Sequence, residues 1–422
     1  MTHELIIFIV MVGVFMLGCF LAKLPVGVSM MLSAIAGALV GGVGVPIRHL
    51  VEGPFSYIDT ILTIATAMVF MKVVEKSGAL EALSAVIIKK FHRHPAILLI
   101  LIMLIIMFPG MITGSSTAAV LSAGSIMAPV LILMGIEPVS AAAFIAMGGL
   151  MGMVAPPVNL PAMIIGGGID VPFVGFGLPL VLLTFPIAIF SALYFGLSRA
   201  RNMKYEEIEP HLNHEIGKQY GFKIYLSIIV LVVLMVLTKV FKVIPDIGMS
   251  LMFLISAAVG LFTGKKVKVA ETIQEAIHSS IPVMGILMGV GMFVQIMTLT
   301  GVRGLIVIAC LSIPASILVL AAGVSIPLFG AVSSFGAASV LGVPFALAFL
   351  NNDTVYTIAA LSFIASLGDM MPPTALAGMF AAQVTEVPDY VKVLKRCLVP
   401  MGIMLVYGML FIVFSNQISA IF

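Results

Sequence analysis

Apolar stretches of about eighteen residues or more recur along the whole chain, punctuated by short charged segments. Soluble-core patterning, with its regular polar face, is largely missing. Candidate membrane-crossing helices run roughly over 4–22, 27–45, 57–76, 139–170, 173–198, 223–243, 246–264, 279–300, 354–385 and 397–416. Most approach the ~20 residues that span ~30 Å of hydrocarbon. Two further apolar stretches, 95–134 and 305–350, are too long for a single crossing and contain no charged residue. The first stretch follows Met-Thr-His-Glu, with no basic leader segment, so it reads as a retained span rather than a cleaved signal.

The basic residues decide how these spans thread. Lys23 and the basic runs at 89–93, 199–223, 265–268 and 392–396 fall on one side, against Arg48, Lys239, Lys242 and Arg303 on the other. Lys72 and Lys76 sit at the inner end of the third span and are set aside. Short basic loops stay cytoplasmic, and the bias holds only if 95–134 and 305–350 each make no net crossing. Both chain ends then lie outside.

Composition narrows the class. Of 422 residues 61% are hydrophobic and 9% charged, against about 25% charged in soluble domains. A cytosolic enzyme, a secreted disulfide scaffold and a DNA-binding protein are thereby excluded. Forty Gly, 23 Pro and no Trp predict interrupted helices, which a membrane tolerates where neighbours or a cavity satisfy the freed backbone. Cys19, Cys310 and Cys397 are far apart in apolar surroundings and suggest neither disulfide nor metal site. There is no HExxH, GxSxG or Walker loop, so no enzyme is expected.

The chain also repeats itself. Leu32-Ser33-Ala34 echoes Ile255-Ser256-Ala257, and Phe70, Lys72 and Gly78 fall on Phe293, Gln295 and Gly301. Ser115-Ser116 falls on Ser333-Ser334, Gly152 and Pro156-Pro157 fall on Gly368 and Pro372-Pro373, and Asp170-Val171-Pro172 falls on Glu386-Val387-Pro388. An ordered series at offsets of 216 to 223 residues predicts two units, 1–198 and 223–422, joined by a polar cytoplasmic linker at 199–222. Five crossings per unit make the second upside down relative to the first, an architecture of secondary transporters. His211 and His214 in the linker are spaced for a metal pair, but solvated histidines are the simpler reading. Gly37-x-x-x-Gly41 reads as helix packing.

Candidate chemistry sits at two kinds of break. The centres of the uncharged stretches, Phe108-Pro109-Gly110-Met111-Ile112-Thr113-Gly114-Ser115-Ser116-Thr117 and Ile326-Pro327-Leu328-Phe329-Gly330-Ala331-Val332-Ser333-Ser334, carry small polar residues. An ordinary turn between complete spans is one reading. The favoured one is a re-entrant hairpin, because Pro95 to Phe108 is short of the hydrocarbon core and neither turn is charged. The other breaks are Gly152 to Asn159, with Pro156-Pro157, and Gly368 to Thr374, with Pro372-Pro373. Proline removes an amide and clashes one turn back, costing ~3 kcal/mol or more inside a helix. A packing kink would explain one such pair; two at matched positions point to carbonyls freed for a cation and half-helix N-termini facing an anion. Asp369 lies at the second break, opposite Met153 in the first. A carboxylate near a helix centre costs ~2.5–3.5 kcal/mol and marks a functional site by default. Asp353, like Glu137, precedes a span and reads as a helix cap, as do Asn351 and Asn352.

Met111-Ile112-Thr113-Gly114-Ser115-Ser116-Thr117-Ala118, Gly124-Ser125-Ile126-Met127-Ala128-Pro129, Gly135-Ile136-Glu137-Pro138 and Gly149-Leu150-Met151-Gly152-Met153-Val154-Ala155-Pro156-Pro157 resemble the large membrane subunit of tripartite ATP-independent periplasmic (TRAP) transporters, in the ion transporter superfamily. Leu24-Pro25-Val26-Gly27 matches that family's first link. Thr113, Ile136 and Val158 depart from its Ser, Tyr and Ser. The resemblance implies an elevator fold, Na⁺ coupling, carboxylate substrates, a periplasmic binding protein and a separate small four-helix membrane subunit.

The expectation is therefore an all-α polytopic membrane protein of the bacterial inner membrane, with about ten spans, two re-entrant hairpins and two inverted repeats. It imports a small organic anion with Na⁺ and needs no cofactor. The hairpins with 139–170 and 354–385 form the mobile domain, and the remaining spans the scaffold. Substrate is expected at Thr113, Gly114, Ser116, Thr117, Pro156, Pro157, Asn159, Ser334 and Thr374. The ion is expected at Ser115, Gly152, Ser333, Gly368, Asp369 and Pro372. The rivals are a stand-alone carrier or Na⁺/H⁺ antiporter without a binding protein, then a channel or a membrane enzyme.

Overall fold

A computed structural model describes residues 2–200, 203, 205–212, 214–241, 243–349 and 351–421, and these are helical with no strand among them. Among them, seven helices are long and apolar enough to cross a membrane: His3–Phe20, Pro95–Thr113, Ser116–Leu133, Gly177–Ala200, Glu215–Thr238, Val269–Leu299 and Tyr390–Val413. The pair Ile47–Phe55 and Ile58–Ser77, bent by 50°, makes an eighth if taken as one span. Shorter apolar helices include Val26–Val40, Pro138–Val154, Met249–Thr263 and Thr354–Met370. The chain is a polytopic helical membrane protein. The side chains of His211 and His214, and residues Arg201, Lys204 and Lys242, lie outside what is described.

Two helices that the apolar runs did not signal are amphipathic. Ile47–Phe55 carries Arg48 and Glu52 one turn apart, paired at 2.7 Å on its exposed side. Ala79–Phe91 buries Leu80, Ala82, Ala85 and Ile88 and leaves its lysines outside. It starts after Gly78, whose φ of +82° turns the chain; Gly301, at +75°, does the same before Val302–Leu311. The second uncharged stretch thus begins with a separate helix, and its hairpin starts only at Ala315.

Helix Val269–Leu299 begins ten residues before its predicted start at 279 and packs against Val26–Val40 and both halves of the bent pair. The contact is backbone to backbone: a Cβ on Gly27 would lie 2.3 Å from the Gly285 carbonyl, and one on Gly53 2.4 Å from that of Gly291. Gly37 abuts Met11 and Gly41 abuts Thr300, so this pair serves packing.

Two helices form the centre. Pro138–Val154 is buried from Ser140 onward and Thr354–Ser366 from Tyr356 onward. Their all-round apolar surfaces of Ala, Gly and Ser admit close neighbours, whereas lipid-facing Thr2–Phe20 leaves Leu5, Ile6, Ile9 and Leu17 exposed. The half-helix Leu160–Gly168, beyond the first break, packs on Thr354–Ser366; the half-helix Leu376–Val384, beyond the second, packs on Pro138–Val154. Each half of the chain therefore inserts its broken piece against the central helix of the other. Asp353 caps Thr354–Ser366 by accepting from the Tyr356 amide at 3.0 Å. Glu137 makes no such bond and pairs with Arg199 at 2.7 Å. The Asn352 amide donates to the Ile412 carbonyl at 2.7 Å, and the Asn351 carbonyl accepts from Asn416; these tie chain segments together rather than cap a helix.

Candidate functional site

Helix Pro95–Thr113 does not stop at Phe108 but continues through Pro109 for 19 residues, about 28 Å at 1.5 Å per residue. Length therefore does not mark this hairpin as re-entrant, contrary to the sequence argument. Its tip is nevertheless interior, with Thr113 and Ser116 buried. Gly114 turns the chain with φ +63°, and a side chain there would meet Leu160 at 2.6 Å. Ser115 then caps the next helix, its Oγ accepting from the Ala118 amide at 3.2 Å. In the second hairpin Ser333 does the same with the Gly336 amide at 3.0 Å. Each capped turn runs into a π-helical turn, Val120–Gly124 and Ala338–Gly342, a distortion that recurs at functional sites.

The breaks lie against these tips. Both Pro156-Pro157 and Pro372-Pro373 are cis. Past the first, the Val158 amide donates to the Met111 carbonyl at 3.1 Å; past the second, the Thr374 amide and hydroxyl donate to the Ala331 carbonyl at 3.3 and 2.8 Å. Glycines permit the approach. A Cβ on Gly152 would stand 2.5 Å from the Met107 carbonyl oxygen, and one on Gly368 2.2 Å from the Gly330 carbonyl carbon.

Asp369 joins the two halves. Its side chain is buried, and it accepts a hydrogen bond from Ser116 Oγ on one carboxylate oxygen and from Ser334 Oγ, at 2.5 Å, on the other. No basic side chain pairs with it among the described residues. Two hydroxyls and a carboxylate, one hydroxyl from each tip, form an all-oxygen cluster of net charge −1 when Asp369 is ionised.

The other predicted positions are dispersed around this cluster. Ser115 and Ser333 are occupied as caps. Thr113 Oγ1 donates to the Pro109 carbonyl at 2.7 Å, within its own helix. Asn159 is a fully engaged clamp: its oxygen caps Leu160–Gly168 through the Ala162 amide at 2.9 Å, and its nitrogen donates to the Val154 carbonyl and Ser362 Oγ at 2.9 and 3.0 Å. The carbonyls of Gly152 and Gly368 accept from the Ala155 and Met371 amides. Pro156 and Pro157 are half-buried, while Pro372 is exposed on the loop beyond Asp369. Thr117 faces a cavity of about 280 Å³, lined also by Met68, Met71, Lys72, Glu75, Ser115 and Ser279. Lys72 and Glu75, 3.0 Å apart, line this cavity and were not among the positions expected from the sequence. The available signal was the lysine itself, near the inner end of the apolar helix Ile58–Ser77.

Broken central helices, paired interior hairpins and a buried carboxylate define a membrane transporter, not an enzyme. The chain belongs to the family of DcuC, the C4-dicarboxylate anaerobic carriers, whose profile matches residues 5–417. No curated protein matches it significantly. Among solved structures, the crystal structure of the Alcanivorax borkumensis YdaH transporter, described as having an unusual topology, is similar in fold: TM-score 0.58 at 16% identity, covering 87% of each chain. These findings correct the resemblance to a TRAP large subunit: the match to the C4-dicarboxylate anaerobic carrier family spans nearly the whole chain. The periplasmic binding protein and small four-helix subunit that the resemblance implied fall with it. The protein is a multi-pass carrier of the bacterial inner membrane.

Proposed function

We propose that this chain is a stand-alone secondary carrier of C4-dicarboxylates, coupled to a monovalent cation neutralised at Asp369. The family supports the substrate class. The observation that carries the coupling is the convergence of Ser116 and Ser334, one from each hairpin tip, on the buried carboxylate. A hard cation prefers such oxygen ligands, and Na⁺ is the ion we assign. With Asp369 neutralised, an anionic substrate approaches the tips without facing a bare carboxylate. Ion binding therefore precedes substrate binding, and the gradients set the direction of transport.

The matched tips, caps, π-turns and breaks support two inverted repeats, 1–198 and 223–422, joined by the 199–222 linker. In this reading the hairpins and broken helices, with their central helices Pro138–Val154 and Thr354–Ser366, move as one elevator body against a scaffold that includes the bent pair and Val269–Leu299. The test is succinate uptake by the purified chain in proteoliposomes, without any binding protein. Uptake that rises with an inward Na⁺ gradient supports the proposal. Uptake that ignores Na⁺ and follows pH replaces Na⁺ by a proton at Asp369, and no uptake of any C4-dicarboxylate refutes the substrate assignment.

A further inference from the structure

The cavity beside the first hairpin tip contains a lysine that the coupling-ion cluster does not use. Lys72 projects from Ile58–Ser77 into the space of about 280 Å³ shared with Ser115, Thr117 and Ser279. Lys72 and Ser279 also line a second cavity of about 300 Å³ with Glu271, Gln274, Glu275 and His278, so the two spaces adjoin at these residues. The outer cavity lies near the basic loop after Thr263, since Lys268 pairs with Glu271 at 3.1 Å and Lys76 with Glu275 at 2.7 Å. By the distribution of basic loops this is the cytoplasmic side.

We propose that Lys72 is the residue that reads the second carboxylate of the dicarboxylate, holding it at the cytoplasmic side of the first hairpin tip. The inference rests on the C4-dicarboxylate reading above. Its grounds are chemical. An ammonium group carries three donors, and Lys72 commits one to Glu75, at 3.0 Å. Its side chain is 28% exposed, and it lines both cavities. The Thr117 hydroxyl, which lines the same space, makes no hydrogen bond among the described residues. The amide of Thr117 is a first-turn donor, of the kind helices leave without an internal partner. One carboxylate would lie at this turn, where the helix dipole also favours an anion, and the other at Lys72. Room suffices: a C4-dicarboxylate has eight heavy atoms, and at the ~30 Å³ that a water molecule occupies in the liquid these need at most about 240 Å³. The repeat supplies no equivalent, because Gln295 stands where Lys72 stands in the first unit. The cation is therefore present on one side of the pathway only.

In this arrangement Glu75 competes with the substrate for Lys72, so the two residues should respond to substitution with opposite signs. The experiment measures binding of succinate, and of butyrate as the four-carbon monocarboxylate, to the purified full chain by titration calorimetry. Lys72→Gln should weaken succinate binding about ten- to a hundredfold, the loss of a hydrogen bond to a charged group, and leave butyrate binding within about twofold. Glu75→Gln should leave succinate binding equal or several-fold tighter. If Lys72→Gln expresses poorly, Glu75→Gln alone retains the test, because a merely structural ion pair predicts weaker binding from either change. Unchanged succinate affinity in Lys72→Gln, equal losses for both ligands, or weakened succinate binding in Glu75→Gln would each overturn the proposal. Failure of the parent chain to bind succinate refutes instead the C4-dicarboxylate reading on which it rests.

Discussion

Adjacent serines at each hairpin tip have separate roles, and the division is set by helix geometry. Ser115 and Ser333 adopt the extended backbone of an N-cap and turn their hydroxyls back to the helix. Ser116 and Ser334, one residue on, reach Asp369. The pairs themselves are legible in the sequence. Which member faces the carboxylate is not, because it depends on a one-residue phase fixed by the Gly114 turn in the first hairpin. Ser116→Ala should therefore raise the Na⁺ concentration for half-maximal uptake about tenfold, from the loss of roughly 1.5 kcal/mol of charge-linked bonding. Ser115→Ala should instead lower stability by about 1 kcal/mol, the loss of a cap, with Na⁺ dependence unchanged. Uptake assays at graded Na⁺ separate the two, and equal effects would contradict the division. At Gly368 the neighbouring Gly330 backbone leaves no space for a Cβ, so Gly368→Ala should destabilise the protein by about 1–3 kcal/mol as overpacking does, read as a lowered melting temperature in detergent.

Among the elements, the long apolar helices were readable because their lengths and flanking charges follow from the bilayer. Ile47–Phe55 and Ala79–Phe91 were not, since each carries charges on one face and buries only the other. The broken helices were located from Gly152, Pro156-Pro157 and their counterparts, but their cross-packing, with Leu160–Gly168 on Thr354–Ser366 and Leu376–Val384 on Pro138–Val154, is a tertiary arrangement that no local pattern encodes. Asn159 belongs to this scale. It looked like a ligand because it is polar and stands at a break, yet all its side-chain bonds go to protein groups. Asn159→Ala removes a cap and leaves the Val154 carbonyl without its side-chain donor. A loss of about 1–3 kcal/mol in unfolding free energy is expected, with the surviving folded fraction keeping its succinate affinity. A large affinity loss at unchanged stability would make Asn159 a substrate ligand after all.

For the whole molecule, the motifs that suggested a TRAP subunit are ones that close helix packing and broken backbone demand. A small-residue tip must fit between packed helices, and a double-proline break must free backbone where two half-helices meet. Such patterns specify the arrangement of the chain more than its family, which is why a polytopic helical membrane transporter could be read while its family could not. The span count could not either, with about ten expected against seven, or eight with the bent pair, among the described residues. In the proposed function the two hairpin tips, Asp369 and a cation form one coupling device. Its most direct test is [¹⁴C]succinate uptake into proteoliposomes at fixed pH, with and without an inward Na⁺ gradient, for the parent chain and Asp369→Asn. The substitution preserves shape and removes the charge that requires a cation, while turning one acceptor oxygen into an NH₂ donor that a serine hydroxyl can accept. Na⁺-driven accumulation is expected from the parent and none from correctly inserted Asp369→Asn. Accumulation by Asp369→Asn with the parent's Na⁺ dependence would contradict that proposal.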